Sequence, residues 1–120
     1  MLTEKQNTGN QGEQLAQSYL EQHHYTILET NWRFGHLEID IIAKDQEHIV
    51  FCEVKTRNSV AFGTPETFVN PQKQKNMIRA AHFYVVTKRI MQEVRFDIFS
   101  IVLGEKTEIV HIQDAFQPRW

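Results

Sequence analysis

Residues 38–55 read EIDIIAKDQEHIVFCEVK, two apolar runs separated by a short polar segment. Apolar and polar residues alternate in both runs, a pattern typical of β-strands with one buried face. The polar segment at residues 44–47 predicts a turn, and the whole stretch therefore predicts a β-hairpin. Residues two apart in a strand share a face. Three acids and a lysine are thus expected on one surface of the hairpin: Glu38, Asp40, Glu53 and Lys55.

Two turn lengths are compatible with this hairpin. A two-residue loop places Asp40 opposite Phe51, whereas a four-residue loop, Asp45–His48, places Asp40 opposite Glu53. Only an odd change in loop length moves a strand's side chains to the other face. The acids are therefore expected to share a face with either loop.

The hairpin alternation also predicts which apolar residues belong together. Leu37, Ile39 and Ile41 are expected on the face opposite to the acids. Ile42 and Phe51 are expected on the acidic face, together with Ile49, which indicates that a helix covers part of that face.

The rest of the chain adds two helices and three strands. The first helix is predicted with Thr8 or Asn10 as its cap, and the second with Asn70 as its cap and Pro71 at its first position. The pattern predicts an α/β domain with a small mixed β-sheet flanked by helices, in the order α-β-β-β-α-β-β. The predicted elements are a helix at residues 9–23, strands at 25–33, 36–43 and 49–56, a loop at 57–69, a helix at 70–88, and strands at 94–102 and 108–112.

Composition predicts a single domain over residues 1–120, with a flexible segment at 1–8 and a C-terminal tail at 114–120. Neither the N-terminus nor any other run has the length of apolar sequence that a membrane span needs, so no membrane association and a cytoplasmic location are expected. The one cysteine, Cys52, allows no disulfide framework and is expected in the core. The net charge of −2 argues against a protein that coats nucleic acid through bulk electrostatics.

The acids and the lysine suit the hydrolysis of a phosphodiester. Magnesium (Mg²⁺) binds oxygen ligands and usually takes only one or two carboxylates from a protein, and Mn²⁺ can substitute for it. Asp40 and Glu53 are the predicted metal ligands, with the carbonyl of Val54 as a third. Lys55 is predicted to orient the attacking water or to neutralise charge in the transition state. Glu13, on the inward flank of the first helix, is a candidate to join them.

Each motif by itself also has a simpler interpretation. Glu-x-Asp fits the exposed face of an amphipathic strand, and Glu-x-Lys fits a surface ion pair. Three carboxylates on adjacent strands repel one another, however, and proteins tolerate this where a cation or a proton relieves the repulsion. The combination therefore favours a functional site, in which Glu38 is the acid with the least defined role.

Three further cations are candidates to contact phosphate groups: Arg57, Lys73 and Lys75. Each of them also fits an ordinary solvated surface charge, which is the simpler interpretation for an isolated lysine or arginine.

The same residues resemble a known group of enzymes. Glu-x-Asp at 38–40, Glu-Val-Lys at 53–55 and a preceding helix that carries Glu13 resemble the PD-(D/E)xK nuclease superfamily, which has a restriction-endonuclease-like fold. A closer resemblance is to the uncharacterised bacterial YraN-type family, itself similar to archaeal Holliday junction resolvases. This closer resemblance covers roughly residues 9–103 and includes the segments at 9–13, 31–33, 50–57, 62–66 and 95–97.

The resemblance implies a metal-dependent DNA endonuclease in which Asp40 and Glu53 bind magnesium, Lys55 is catalytic and Glu13 assists. Branched or damaged DNA is the candidate substrate and a homodimer the candidate assembly. The chain departs from the superfamily at Leu37, where a glycine usually precedes the first acid. That departure affects the expected geometry of the turn between the first and second strands and not the expected metal ligands. A second hypothesis is a non-catalytic nucleic-acid-binding or accessory module that keeps the fold.

Overall fold

The structure, a computed structural model, describes residues 3–58 and 69–118. The order of its elements confirms the prediction: a mixed five-stranded sheet flanked by two helices, α-β-β-β-α-β-β, consistent with a small nuclease-like fold. Most of the predicted loop at 57–69 lies outside the described residues. The elements are α1 (Glu4–Gln22), β1 (Thr26–Phe34), β2 (Leu37–Lys44), β3 (His48–Arg57), α2 (Pro71–Lys88), β4 (Glu93–Val102) and β5 (Glu108–Phe116).

The strands lie in the sheet in chain order, β1-β2-β3-β4-β5. Only β3 and β4 are parallel, and a parallel pair needs a crossover connection, which contains α2. In the described part of the chain, neither helix is long and apolar enough to cross a membrane.

Two apolar clusters cover the two faces of the sheet, and each includes one helix. Cys52 is fully buried in the α1-face cluster, as predicted. The α2 face is filled by Leu37, Ile39, Ile42, Ile49, Phe51, Phe96 and Ile98 together with Met77, Ala80, Ala81 and Tyr84 of α2. The α1 face is filled by Ile41, Ala43, Val50, Cys52, Phe99 and Ile101 together with Ala16 and Leu20 of α1.

The first helix begins earlier than predicted, because it has a capping box at Thr3. The Thr3 hydroxyl accepts a hydrogen bond from the Gln6 amide (3.1 Å), and the Gln6 side chain accepts one from the Thr3 amide (2.9 Å). The predicted caps Thr8 and Asn10 are therefore wrong. Residues 4–8, expected to be flexible, form the first turns of the helix.

The second helix begins as predicted. The Asn70 side chain accepts a hydrogen bond from the Lys73 amide (2.8 Å), and Pro71 occupies the first helical position. At the other end of the chain, β5 continues to Phe116, so residues 114–116 of the expected tail belong to the sheet.

The turn between β2 and β3 is the four-residue alternative, since Lys44 pairs with Ile49. The Asp45 carboxylate holds it by accepting hydrogen bonds from the amides of Glu47 (2.8 Å) and His48 (2.7 Å). Such side-chain hydrogen bonds to the backbone two and three residues later replace the hydrogen bonds of a tighter turn.

The strict alternation predicted for β2 is wrong at Asp40. Ile39 packs in the α2-face cluster, yet Ile41 packs in the α1-face cluster and Ile42 again on the α2 face. Ile39 and Ile41 would share a face in a regular strand, so the strand changes sides between them. The expectation that Ile41 shares a face with Leu37 and Ile39 is therefore not met.

A close approach between α1 and β3 sets the position of the first helix. Gly12 is buried in the middle of α1, and a Cβ added there would overlap the side chain of Thr56. The absence of a side chain therefore lets the helix lie directly against the end of β3.

We expect Gly12→Ala to lower the free energy of unfolding by roughly 1–3 kcal/mol, the usual cost of overpacking. Gly9→Ala is the matched control, because a Cβ there meets nothing within 4 Å. It should stabilise the helix by up to about 1 kcal/mol. Urea unfolding measures both changes, and adding Thr56→Ala should recover part of the Gly12→Ala loss. Equal effects of the two glycine substitutions would contradict the proposed close contact.

Candidate active site

Asp40 lies where β2 separates from β3. The last described pair between these strands is Ile41 with Cys52. One residue further on, the Asp40 Oδ2 atom accepts a hydrogen bond from the Val54 amide at 2.8 Å. A side chain therefore replaces the backbone pairing at this point, which we call the fork.

Glu53 lies beside the fork, on the side of α2. Its side chain is only 15% exposed, and its Oε2 atom is 3.4 Å from the Nζ of Lys73. This distance is an ion pair but is long for a charge-assisted hydrogen bond, and the buried Oε2 has no hydrogen-bond partner among the described residues. Burial, with repulsion from Asp40, raises the pKa of Glu53 to about 7, although Lys73 and Lys55 act in the opposite direction.

The carboxyl of Asp40 also has a raised pKa. Burial raises the pKa of Asp40 above its ordinary value, although the hydrogen bond from Val54 and the charge of Lys73 lower it. Two neighbouring carboxyls with raised pKa values form a pair that additional positive charge would stabilise.

Glu13 and Glu38 approach Asp40 from the side of α1. Burial raises the pKa of Glu13, and the charges of Asp40 and Glu38 raise it further, while a hydrogen bond involving Asn31 lowers it. Glu38 pairs with Arg33 at 3.0 Å, an exposed contact that contributes little to stability.

The prediction that the acids share one face of the hairpin is therefore wrong. Glu53 contacts Lys73 of α2, whereas Glu38 follows Leu37 and precedes Ile39, both on the α2 face, and so points toward α1. Asp40, at the fork, interacts electrostatically with acids on both sides. The acids therefore come near one another at the fork and not on a shared face of the hairpin.

Lys55 lies at the exposed end of β3, and its positive charge lowers the pKa of both Asp40 and Glu53. It also lines an open groove of about 660 Å³ between the first half of α1 and the end of β3. Glu13 and Thr56 line the same groove. The predicted catalytic lysine and the predicted assisting acid therefore face one space.

The three cations predicted to contact phosphate have different surroundings. Lys73 reaches Glu53, and Arg57 is half-buried at the end of β3. Lys75 is exposed and, two residues after Lys73, lies about 200° away around the helix. Lys75 therefore does not join the contact with Glu53.

Sequence reasoning missed two groups that position the acids. Asn31 has a positive φ of 49°, a conformation that asparagine tolerates better than most residues, and its side chain lowers the pKa of Glu13. The Val54 amide that holds Asp40 has no sequence signal, because every residue except proline carries one.

Within the described residues, no three side chains of His, Cys, Asp or Glu come close enough together to hold one metal ion. A cation at the fork would therefore have two carboxylate ligands, Asp40 and Glu53, and would take its remaining ligands from the backbone, water or a substrate. Mg²⁺ is commonly bound in this way, with few protein ligands and several other oxygens.

The model of the Uncharacterised protein family UPF0102 matches residues 12–101. The chain belongs to this family. UPF0102 proteins of Flavobacterium psychrophilum and Bacteroides thetaiotaomicron are 41% and 42% identical to it over 116 and 119 residues, covering 96% and 98% of this chain and 98% of each relative. A UPF0102 protein of Syntrophus aciditrophicus is 44% identical over 118 residues, covering 97% of this chain and 93% of the relative. The resemblance to the YraN-type family is thereby confirmed.

We expect the raised pKa of Glu53 to make the metal-free protein less stable as the pH rises. The folded protein keeps this proton up to about pH 7, whereas the unfolded chain releases it near 4.5, so stability is lost between these values. Urea unfolding in EDTA at about pH 5 and about pH 8 should show a loss of up to about 3 kcal/mol that Glu53→Gln lacks.

The control for this experiment is Glu105→Gln, at an exposed position in the turn between β4 and β5. It should show the same pH dependence as the unaltered protein. If the free energy of unfolding of Glu53→Gln falls with pH as much as that of the unaltered protein, the carboxyl of Glu53 does not hold a proton near neutral pH.

Proposed function

We propose that this protein is a divalent-metal-dependent phosphodiesterase that cleaves DNA, with Mg²⁺ as its cofactor and Mn²⁺ as a substitute. The observation that carries the proposal is the pair of half-buried carboxylates at the fork, Asp40 and Glu53, whose pKa values are raised. The buried Oε2 of Glu53, which has no hydrogen-bond partner among the described residues, fits a cation ligand. The donors are all oxygens, as a hard cation requires.

A bound divalent cation would supply screening of the phosphoryl charge and a more acidic water. The Val54 amide holds one oxygen of Asp40 and thereby fixes the orientation of the other. Lys55, at the exposed end of the same strand, neutralises the charge that develops on the phosphate or orients the attacking water. Both roles need the lysine near the two carboxylates, where its charge is felt.

Glu13 assists from the opposite wall of the groove. Its raised pKa allows this carboxyl to exchange a proton closer to neutral pH than an ordinary glutamate does. Glu38 acts through Asp40 and Glu13, because its charge raises the pKa of both. Arg57, Lys73 and Lys75 are proposed to contact the phosphates of the DNA.

A non-catalytic nucleic-acid-binding module is the second candidate function. It is favoured by the small number of acidic ligands at the fork, since the described residues contain no group of three. Binding that weakens as salt rises, with no product at any metal concentration, would support this second candidate.

We expect the protein to cleave DNA in Mg²⁺ or Mn²⁺, and Asp40→Asn, Glu53→Gln and Lys55→Ala each to lower the rate roughly 100-fold or more. The measurement is a cleavage assay on linear duplex, single-stranded and four-way-junction DNA. Glu47→Gln, at an exposed position in the turn at the other end of the β2–β3 hairpin from the fork, is the control and should keep full activity. Activity that survives the Glu53 and Lys55 substitutions would identify a contaminating nuclease.

We expect Lys73→Gln to tighten Mn²⁺ binding roughly tenfold, because the ammonium of Lys73 lies 3.4 Å from Glu53 and repels a cation there. Calorimetric titration at about pH 8, where Glu53 is ionised, measures this change. Lys75→Gln is the matched control, since it removes the same charge from the opposite side of α2. Tighter binding with both variants would indicate a general charge effect, and weaker binding with Lys73→Gln would show that the lysine supports the metal site.

A further inference from the structure

A second groove lies between the end of β1 and the exposed side of α2. Phe34 and Phe83 stack there, with ring centroids 4.2 Å apart and an angle of 10° between the rings, and the ring centroid of Trp32 is 6.4 Å from that of Phe83. Phe83 remains 43% exposed and Val86, on the same side of the helix, 61%. The groove has a volume of about 390 Å³, within the range of sites for small planar ligands.

All the charged residues of α2, the helix that lines this groove, are lysine or arginine. It carries Lys73, Lys75, Arg79 and Lys88 and no aspartate or glutamate, although the whole chain has a net charge of −2. Lys75 and Arg79 are four residues apart and both exposed, so they lie on one side of the helix and lead to the groove that Arg79 lines.

The helix α2 runs from the fork to the groove, but Lys73, which reaches the fork, lies on a different side of it from Lys75 and Arg79. Lys73 contacts Glu53, and Phe83 follows ten residues later, which is about 15 Å along a helix. Lys75 and Arg79, and not Lys73, are therefore the cations of α2 that would contact the phosphates of a strand held at the groove.

We propose that the groove at Phe34 and Phe83 binds an unpaired base of a DNA strand, and that single-stranded or branched DNA is therefore the preferred substrate. The statement about substrate rests on the proposed function, whereas the binding site stands on the groove itself. An exposed aromatic ring beside exposed cations is the arrangement that proteins use to hold single strands, because bases stack on the ring while lysine and arginine contact the phosphates.

A second copy of this chain fits the groove less well. A symmetric contact through α2 would bring Lys75 and Arg79 of one copy against the same residues of the other, and like charges repel. The neighbouring edge strand β1 is also irregular, with a register shift between Ile27 and Glu29 and a positive φ at Asn31. Such irregularities oppose edge-to-edge pairing of strands.

The test measures binding in EDTA, where no metal-dependent cleavage can occur. Fluorescence anisotropy compares a labelled single strand of about 12 nucleotides with a blunt duplex of the same sequence. Phe83→Ala should weaken single-strand binding roughly 5- to 10-fold and duplex binding less than about twofold, because only the single strand offers an unpaired base. Phe83→Trp should preserve single-strand binding, and Phe83→Leu should not.

Two further variants separate stacking from charge and from apolar contact. Val110→Ala removes an exposed valine side chain from β5, at the other edge of the sheet from the groove, and should leave both affinities unchanged. Arg79→Gln should weaken the binding of both ligands. For the single strand, it should also reduce the slope of log binding constant against log salt concentration by about 0.7. Thermal unfolding and sedimentation of each variant establish that it is folded and whether its assembly has changed.

Equal losses on single strand and duplex, or no loss with Phe83→Ala, would overturn the proposal. So would a change of oligomeric state with Phe83→Ala, which would assign the groove to a second copy of the chain. A variant series that behaves as expected while no substrate is cleaved in Mg²⁺ would refute the nuclease proposal and retain the binding site. Cleavage that requires Asp40 but does not depend on Phe83 would support the nuclease proposal and refute the role of the groove in choosing the substrate.

Discussion

The hydrogen bond from the Val54 amide to Asp40 is the contact on which the arrangement of the acids depends. It lies where the pairing of β2 with β3 ends, and it replaces a backbone hydrogen bond with one to a side chain. Asp40 is thereby held between the two faces of the sheet, where Glu53 approaches from the side of α2 and Glu13 from the side of α1. A regular strand would have put Asp40 on one face and separated it from the acids of the other.

The charges of the molecule are divided between two parts of the chain. Acids collect on α1, β2 and β3 around the fork, while α2 carries only positive charges. The net charge of −2 averages these two regions and so hides both of them. Lys73 is the point at which they meet, because it is the cation of α2 that reaches Glu53. Interaction with a polyanion would follow this local pattern, whatever the total charge.

The sequence predicted the order of elements because each one has a strong local signal, such as Asn70 and Pro71 at the start of α2. The change of sides at Asp40 was missed because Ile39, Ile41 and Ile42 are all apolar, and only the adjacent pair Ile41 and Ile42 hints that both faces are buried.

Other features depend on tertiary contacts and had no reliable signal. The close approach of Gly12 to Thr56 joins α1 to β3. The start of α1, by contrast, was placed too late because Thr8 and Asn10 also fit a cap and the capping box at Thr3 was not recognised. The ion pair of Lys73 with Glu53 joins two elements across the crossover and cannot be seen from spacing. The stacking of Phe34 on Phe83 likewise joins β1 to α2.

The parallel pairing of β3 with β4 has a consequence for the way the chain folds. The strands β1, β2 and β3 follow one another as antiparallel neighbours, so their pairing needs only short loops to close. Pairing of His48 with Glu93 closes a much longer segment that includes α2, and such closure is slower because more chain entropy is lost first. The carboxylates of the fork lie on β2 and β3, which pair through a short turn, whereas Lys73 lies on the crossover. We therefore expect the repulsion between Asp40 and Glu53 to persist until the crossover docks and brings Lys73 to Glu53.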